Sequence, residues 1–326
     1  MSAQTEIRAF EFDGAGKGQA MEDPWAPLAG LQPKAGFVWV HLNFAQAVGD
    51  RRDWLAKSGL DGLVQTALSA PETRPRCTVH DEGVVMNLRG VNLSPGADPE
   101  DMVSLRMWIT AGAVVTVQMR PLFAVRDVIE GIERGQCPDT PGELVARLAL
   151  RLADRAEPVV AELNERIDTL EDKPAGETGM RGELADIRRV SIMLRRYMFP
   201  QRDALSTFEI EDLAWLTVRD RIRLREATER VTRLAEELDQ IRDRAQVVHD
   251  MIMDQRAEAM NRQMLILSVV AAIFLPLGLL TGLLGINVGG MPGANTPWAF
   301  WVVCGLLVVI CAFQLWLFRR LGLIGK

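Results

Sequence analysis

Residues 264–287 read MLILSVVAAIFLPLGLLTGLLGIN, and from Met264 to Leu284 no side chain is charged. Downstream, Trp298 to Phe318 forms a second apolar run, and no charged residue stands between Arg262 and Arg319. A buried helix of a soluble domain keeps a solvated face or charged ends every few turns. Each run reaches the roughly 20 residues that cross a hydrocarbon core of about 30 Å. The pattern predicts a two-pass membrane hairpin, with Gly285-Ile286-Asn287 where the first span leaves the bilayer.

Working outward, basic residues flank the pair of spans. Arg256 and Arg262 precede the first, Arg319, Arg320 and Lys326 follow the second, and the connecting loop Val288 to Pro297 has none. The bias of basic residues toward the cytoplasm puts both termini there and the loop outside. Three of those charges lie in the tail, so the remainder is more acidic than the formal −6 of the whole chain. An acidic balance argues against nucleic acid and suits attraction of cations. Cys77, Cys137, Cys304 and Cys311 are scattered without a C-x-x-C spacing, the usage of a reducing compartment. Met1 to Phe12 mixes Glu6, Arg8 and Glu11 with few apolar residues, so no signal peptide is expected.

Residues 37–44 read as a strand. Residues 76–93 read as a hairpin turning at Asp81-Glu82-Gly83, and residues 103–119 repeat the form around Ala111-Gly112. Helical stretches are expected at Arg51 to Ser58, Asp61 to Ala70 and Pro121 to Arg134. From Pro141, in a favourable first-turn position after Thr140, Leu144, Leu148, Leu152, Val159, Leu163, Ile167 and Leu170 mark a long helix ended by Lys173-Pro174-Ala175-Gly176. A second helix is expected from Arg181 to Tyr197, stopping before Pro200, with a turn and a short helix over 201–215.

No Pro or Gly interrupts Leu213 to Leu275, which predicts one helix running into the bilayer. Along it Ala227, Val231, Leu234, Leu238, Ile241, Ala245, Val248 and Ile252 follow a heptad spacing. Two readings are open: an ordinary helix packed on the α/β domain, or a stalk that bundles with copies of itself. The expected architecture is an α+β domain, a long helix and a two-helix hairpin. Its parts are a cytoplasmic α/β domain at 1–135, a cytoplasmic helical region at 136–210, a stalk helix at 211–262, a first span at 263–288, a periplasmic loop at 289–297, a second span at 298–318 and a basic tail at 319–326.

Two helices cannot enclose an ion path, so conduction requires an oligomer. Gly278 and Gly282 form a G-x-x-x-G, with Ser268, Ala271 and Ala272 as further small positions that let helices approach in lipid. Pro276 removes a backbone donor and loosens the helix. Asn287 reads either as a helix C-cap or, in a symmetric oligomer, as a ring of carbonyls that accepts hydrogen bonds from the water shell of a cation. Leu275, Ser268, Met264, Asn261 and Asp250 share one helical face, apolar in the span and polar below it. In an oligomer they would make a hydrophobic constriction at Met264 above an amide ring at Asn261 and an acidic ring at Asp250.

The C-terminal pattern, with Ile273-Phe274-Leu275-Pro276-Leu277, Thr281-Gly282, Gly-x-Asn and a basic tail, resembles the CorA-type metal ion transporter family. Three segments look like its zinc-transporting ZntB branch: Glu72-Thr73-Arg74-Pro75-Arg76-Cys77, Leu194-Arg195-Arg196-Tyr197-Met198-Phe199-Pro200-Gln201-Arg202-Asp203-Ala204-Leu205, and Gly285-Ile286-Asn287-Val288-Gly289-Gly290-Met291-Pro292-Gly293. The resemblance implies a funnel-shaped homopentamer in a bacterial inner membrane, first spans lining the pore. It carries over Asn287 as the signature residue at the outer mouth, Met264 and Asn261 as pore-lining, and Asp250 as an acidic position lower down. It also implies zinc as the transported ion, no permanently bound cofactor, and proton coupling. Two departures count against simple magnesium channel behaviour: Ile286 stands where the magnesium branch has Met, and the loop has no acidic residue.

The residues themselves do not select zinc, because its usual Cys, His and carboxylate ligands are missing from the inferred pore face. Cys304 and Cys311 fit a small apolar role better than a ligand role, and His41 and His80 fall in predicted strands as structural residues. His249 beside Asp250 is a possible proton or cation site, with a solvated histidine as the plainer reading. No Asp, Glu, His, Lys or Arg lies within either span, so a carboxylate relay through the membrane is not available, and proton coupling would fall to Asp250 and His249 or accompany the ion through water. A magnesium, cobalt or nickel channel and a membrane-anchored scaffold that moves nothing stand as alternatives. No phosphate loop, nucleophile elbow or metalloprotease motif points to an enzyme.

Overall fold

The computed structural model describes residues 7–23, 36–44, 48–71, 73–173, 179–286, 293 and 296–322. The chain divides into two units, Met1–Val248 and His249–Lys326.

In the first unit, the apolar run after Gly36 is β3 (Phe37–Asn43), buried along nearly its whole length. Burial on both faces follows from its place in the sheet, antiparallel to β1 (Ile7–Phe12) on one side and parallel to β7 (Ala113–Gln118) on the other. With β2 (Gly18–Ala20), β4 (Arg76–His80), β5 (Gly83–Gly90) and β6 (Val103–Ile109), the order is β2-β1-β3-β7-β6-β5-β4. The β4–β5 hairpin turns where expected, with Asp81 at φ 49°, a left-handed position that Asp tolerates better than most residues. β1 and β2 were not expected. Arg8 and Glu11 interrupt the apolar residues of β1, yet they are its two half-buried positions, and Arg8 reaches Glu133 at 3.1 Å.

One face of the sheet presents Val38, Val40, Leu42, Val85, Trp108, Val115 and Val117 to Trp54 and Leu55 of α1 (Val48–Lys57) and to Val64, Ala67 and Leu68 of α2 (Gly62–Ser69). Asp61 caps α2 through Leu63 N–H at 2.8 Å. On the other side lie α3 (Phe123–Glu133) and α4 (Pro141–Asp172). Gly90 allows the approach there, since a Cβ would sit 2.6 Å from Leu152 Cδ2 and 2.9 Å from Leu122 Cδ2. α4 starts as predicted, with Thr140 Oγ1 accepting from Glu143 N–H at 3.1 Å and Pro141 in the first turn.

α5 (Met180–Ile210) departs from expectation: it runs through Pro200, and residues 201–210 are helix rather than a turn and a short helix. A proline inside a helix loses one donor and crowds the preceding turn. Here both sides of the proline are anchored, by buried Leu194 and Met198 before it and by Gln201, Ala204, Leu205 and Phe208 after it. Tertiary packing overrides the local breaker.

α6 (Val218–Gly285) starts five residues later than Leu213, at a reciprocal cap in which Thr217 N–H donates to Asp220 Oδ2 at 2.9 Å and Asp220 N–H to Thr217 Oγ1 at 3.2 Å. Its heptad seam from Ala227 through Val248 is fully buried within the single chain, and Ile252 is buried as well. Of the two readings, the helix packed on its own domain is the observed one, and the seam is not open for bundling with copies. Arg230 pairs with Asp154, and Arg244 with Asp168 and with Glu171 at 2.6 Å, so α4 and α6 run parallel. Arg225 with Glu209 at 2.7 Å and Arg195 with Asp239 set α5 antiparallel to α6.

The two segments that carried the ZntB resemblance in this unit meet at Arg89. Its guanidinium donates to Thr73 O at 2.8 and 3.0 Å and to Met102 O at 2.8 Å, and lies 4.2 Å from the Tyr197 ring centre. Its backbone N–H donates to Gln201 Oε1 at 2.6 Å. Glu72 lies outside the described residues.

Candidate ion pathway

The second unit holds the C-terminal part of α6, from His249, and α7 (Ala299–Arg320). Both helices are long and apolar enough to cross a membrane, and none of either apolar window is buried inside the chain. Such extended apolar surface needs lipid or other copies to cover it. α7 carries Trp298 and Trp301 at one end and Trp316 with Arg319 and Arg320 at the other. Arg320 stands 5.4 Å from the Trp316 ring centre. Aromatic residues at both ends, joined by basic residues at the C-terminal one, are the composition of membrane interfaces.

α7 presents a half-buried seam at Val303, Leu307, Ile310, Gln314 and Leu317, and α6 presents half-buried Val269, Ile273, Pro276, Leu277 and Leu280. Gln314 Nε2 joins the two helices by donating to Ala272 O at 3.2 Å. Cys304 and Cys311 are half-buried free thiols flanking the α7 seam, consistent with a packing role.

The side chains expected to line a path all lie away from α7. Asn261, Met264, Ser268 and Leu275 are exposed, Met264 at 56% and Leu275 at 78%. At about 100° per residue they fall within about 60° of arc, on the side of α6 turned away from Ile273, Leu277 and Leu280. Asp250 continues that face and is exposed, while His249 beside it is half-buried. Gly285 is the last residue of α6, and Ile286 follows it as an exposed bend. Asn287 lies outside the described residues, as does most of the loop that follows it. Thr296 N–H donates to Gly293 O at 3.0 Å in the turn that leads into α7.

Among the described residues no three His, Cys, Asp or Glu side chains converge on a point that could hold a metal ion. A path of this composition would act on a hydrated ion through amides, apolar walls and one carboxylate. The remaining histidines are structural. His41 is buried with Nδ1 2.8 Å from Thr116 Oγ1, which accepts from Trp39 Nε1–H at 2.9 Å. Burial, and then the charge of Arg8, push its pKa down to about 3, so it is neutral. His80 Nε2 stands 3.2 Å from Asp61 Oδ1 at the start of α2. Burial pushes the Cys77 thiol up to about 12, so it is held as the neutral thiol.

The contact between Gln314 and Ala272 was not anticipated. A signal existed: apart from the two cysteines, Gln314 is the single polar side chain between Trp298 and Phe318, and a carboxamide inside a membrane helix needs a partner.

Comparison with known proteins places this geometry in a family. The model of the CorA-like Mg2+ transporter protein family matches residues 34–320. The divalent cation transporter CmaX of Pseudomonas aeruginosa is 38% identical over 320 residues, covering 97% of this chain and 96% of that protein. The zinc transport protein ZntB of Pectobacterium atrosepticum is 36% identical over 284 residues, 86% of each chain. The solved structure of full-length CmaX superposes with a TM-score of 0.81 at 36% identity over 99% of both chains. The exposed face, the paired apolar helices and the sheet domain thus occur together in a chain that belongs to the CorA-like Mg2+ transporter family.

Proposed function

We propose that copies of this chain assemble, as a homopentamer, into a pore that carries divalent cations across the bacterial inner membrane, with zinc as the preferred ion and with both termini in the cytoplasm. The observation that carries the reading is the α6 face of Asn261, Met264, Ser268 and Leu275, exposed in the single chain and turned away from α7. Five such faces around one axis would give a path in which Met264 and Leu275 form apolar constrictions, and Asn261 and Asn287 supply amide rings. An amide carbonyl accepts hydrogen bonds from a hydrated cation without a fixed charge to trap it. Asp250 would supply a ring of carboxylates that raises the local cation concentration.

Zinc is supported by the ZntB relatives, while the departures at Ile286 and in the uncharged loop weigh against a simple magnesium channel. The broader description of CmaX as a divalent cation transporter favours a second reading, in which zinc is one of several ions. The spans contain no Asp, Glu, His, Lys or Arg, so proton coupling would run through Asp250 and His249 or through water accompanying the ion.

The deciding experiment uses purified full-length protein in liposomes with a trapped zinc indicator, with and without a pH gradient. Zinc entry accelerated by the gradient and reduced at least tenfold by Asn287→Ala is the expected result. Absence of any metal flux would instead favour a scaffold, and magnesium flux indifferent to the gradient would favour a channel. Gradient dependence that survives substitution of both Asp250 and His249 would remove those two residues from the coupling.

A further inference from the structure

In an α-helix the carbonyl of residue 272 accepts from the N–H of residue 276. Residue 276 is a proline, so that donor does not exist and the Ala272 carbonyl lacks its usual intrahelical partner. Inside a hydrocarbon core no water replaces it, and an unmade backbone hydrogen bond there is expensive. The structure fills the vacancy from the other helix, with Gln314 Nε2 of α7 standing 3.2 Å from Ala272 O. Gln314 lies on the half-buried α7 seam facing α6, one turn from Ile310 and Leu317, so the amide is held at this level by apolar packing on both sides.

The location gives the contact a consequence. Pro276 directly follows Leu275 on the proposed path, and everything beyond it in α6, including Gly278, Gly282 and Gly285, is attached through a turn that lacks its own hydrogen bond. A helix freed of one rung bends most easily there. We propose that Gln314 is a positioning residue for transport. By donating to the carbonyl that Pro276 leaves open, it holds α6 in one conformation at this turn and sets where the outer segment, as far as Gly285 and Ile286, stands. The second span then acts on the path without lining it. This rests on the reading of α6 as the lining helix.

The test is a double-mutant cycle on the full-length protein in liposomes, with thermal unfolding in detergent as a second readout. Gln314→Met keeps length and apolar packing but removes the donor. It is expected to lower the maximal zinc flux at least fivefold with the half-saturating zinc concentration unchanged, and to lower the unfolding temperature. Pro276→Ala restores the backbone donor to Ala272, so adding Gln314→Met in that background is expected to change flux by less than twofold and to leave the unfolding temperature in place. Equal losses from Gln314→Met in both backgrounds would reduce Gln314 to a packing residue and overturn the proposal, as would an unchanged flux and unfolding temperature in the wild-type background. Should the wild-type protein carry no metal at all, the transport reading fails and the positioning role with it. The unfolding cycle then still reports whether the bond exists.

Discussion

The side-chain oxygen of Gln201 accepts the backbone N–H of Arg89 at 2.6 Å, beyond the point where β4 stops pairing with β5 at Arg76 and Asn87. The helix that carries Gln201 thus adds a hydrogen bond to the strand, and it does so one residue after Pro200. Gln201 is buried, and Gln201→Met keeps the apolar stem while removing the acceptor. The substitution is expected to cost about 0.5–1.5 kcal/mol of stability, the net worth of one such hydrogen bond. A denaturant midpoint equal to that of the wild type would show that the Arg89 N–H is satisfied in another way.

His41 makes acid stability predictable. Burial holds its folded pKa at about 3, against 6.5 for the free side chain. The unfolded chain therefore takes up the proton first, so stability is full above pH 6.5 and declines as pH falls toward 3. With about 1.4 kcal/mol for each pH unit of difference, the loss from this one residue is about 2 kcal/mol at pH 5. His41→Gln is expected to flatten the decline between pH 6.5 and pH 5. Unfolding curves whose slopes against pH match in the two proteins would exclude His41 as the source.

Local signals carried much of the fold. Thr140-Pro141 marked a helix start because a cap and a first-turn proline act within four residues, and the turns at Asp81-Glu82 and Ala111-Gly112 were legible for the same reason. Pro200 reads locally as a helix stop, but its cost is outweighed by contacts to residues more than a hundred positions away. β1 escaped because Arg8 and Glu11 break its apolar pattern while satisfying themselves at its half-buried positions. The heptad seam showed that one face of α6 is buried but not what buries it, since periodicity names a face and never a partner. In the candidate pathway, spacing alone identified which residues share the face of Asn261 and Leu275. The pairing of Gln314 with Ala272 depends on a missing donor in one helix and an amide in another, and no local pattern joins them.

The buried seam leads to a prediction about assembly. Leu234 and Leu238 are almost wholly enclosed within one chain, so their packing is intramolecular. Leu238→Ala is expected to destabilise the first unit by about 2–5 kcal/mol, as large-to-small changes in a core do. The shift in unfolding midpoint should be the same at low and high protein concentration. A loss that appears only on dilution, with dissociation of the oligomer, would return the seam to an intermolecular role.

The arrangement of α6 can be tested by accessibility. Ser268 and Leu275 share the face turned from α7, while Val270 is exposed on a different side, about 140–160° around the helix from them at about 100° per residue. If the shared face lines a water-filled path, a cysteine there meets a charged, membrane-impermeant thiol reagent, whereas a cysteine toward lipid does not react because its thiolate does not form in hydrocarbon. In a background with Cys77, Cys137, Cys304 and Cys311 replaced by serine or alanine, Ser268→Cys and Leu275→Cys are expected to lose most zinc flux on treatment, and Val270→Cys to keep it. Reaction at Val270 with protection at Ser268 and Leu275 would turn the helix around, placing the Met264 and Leu275 face against lipid and removing it from the path.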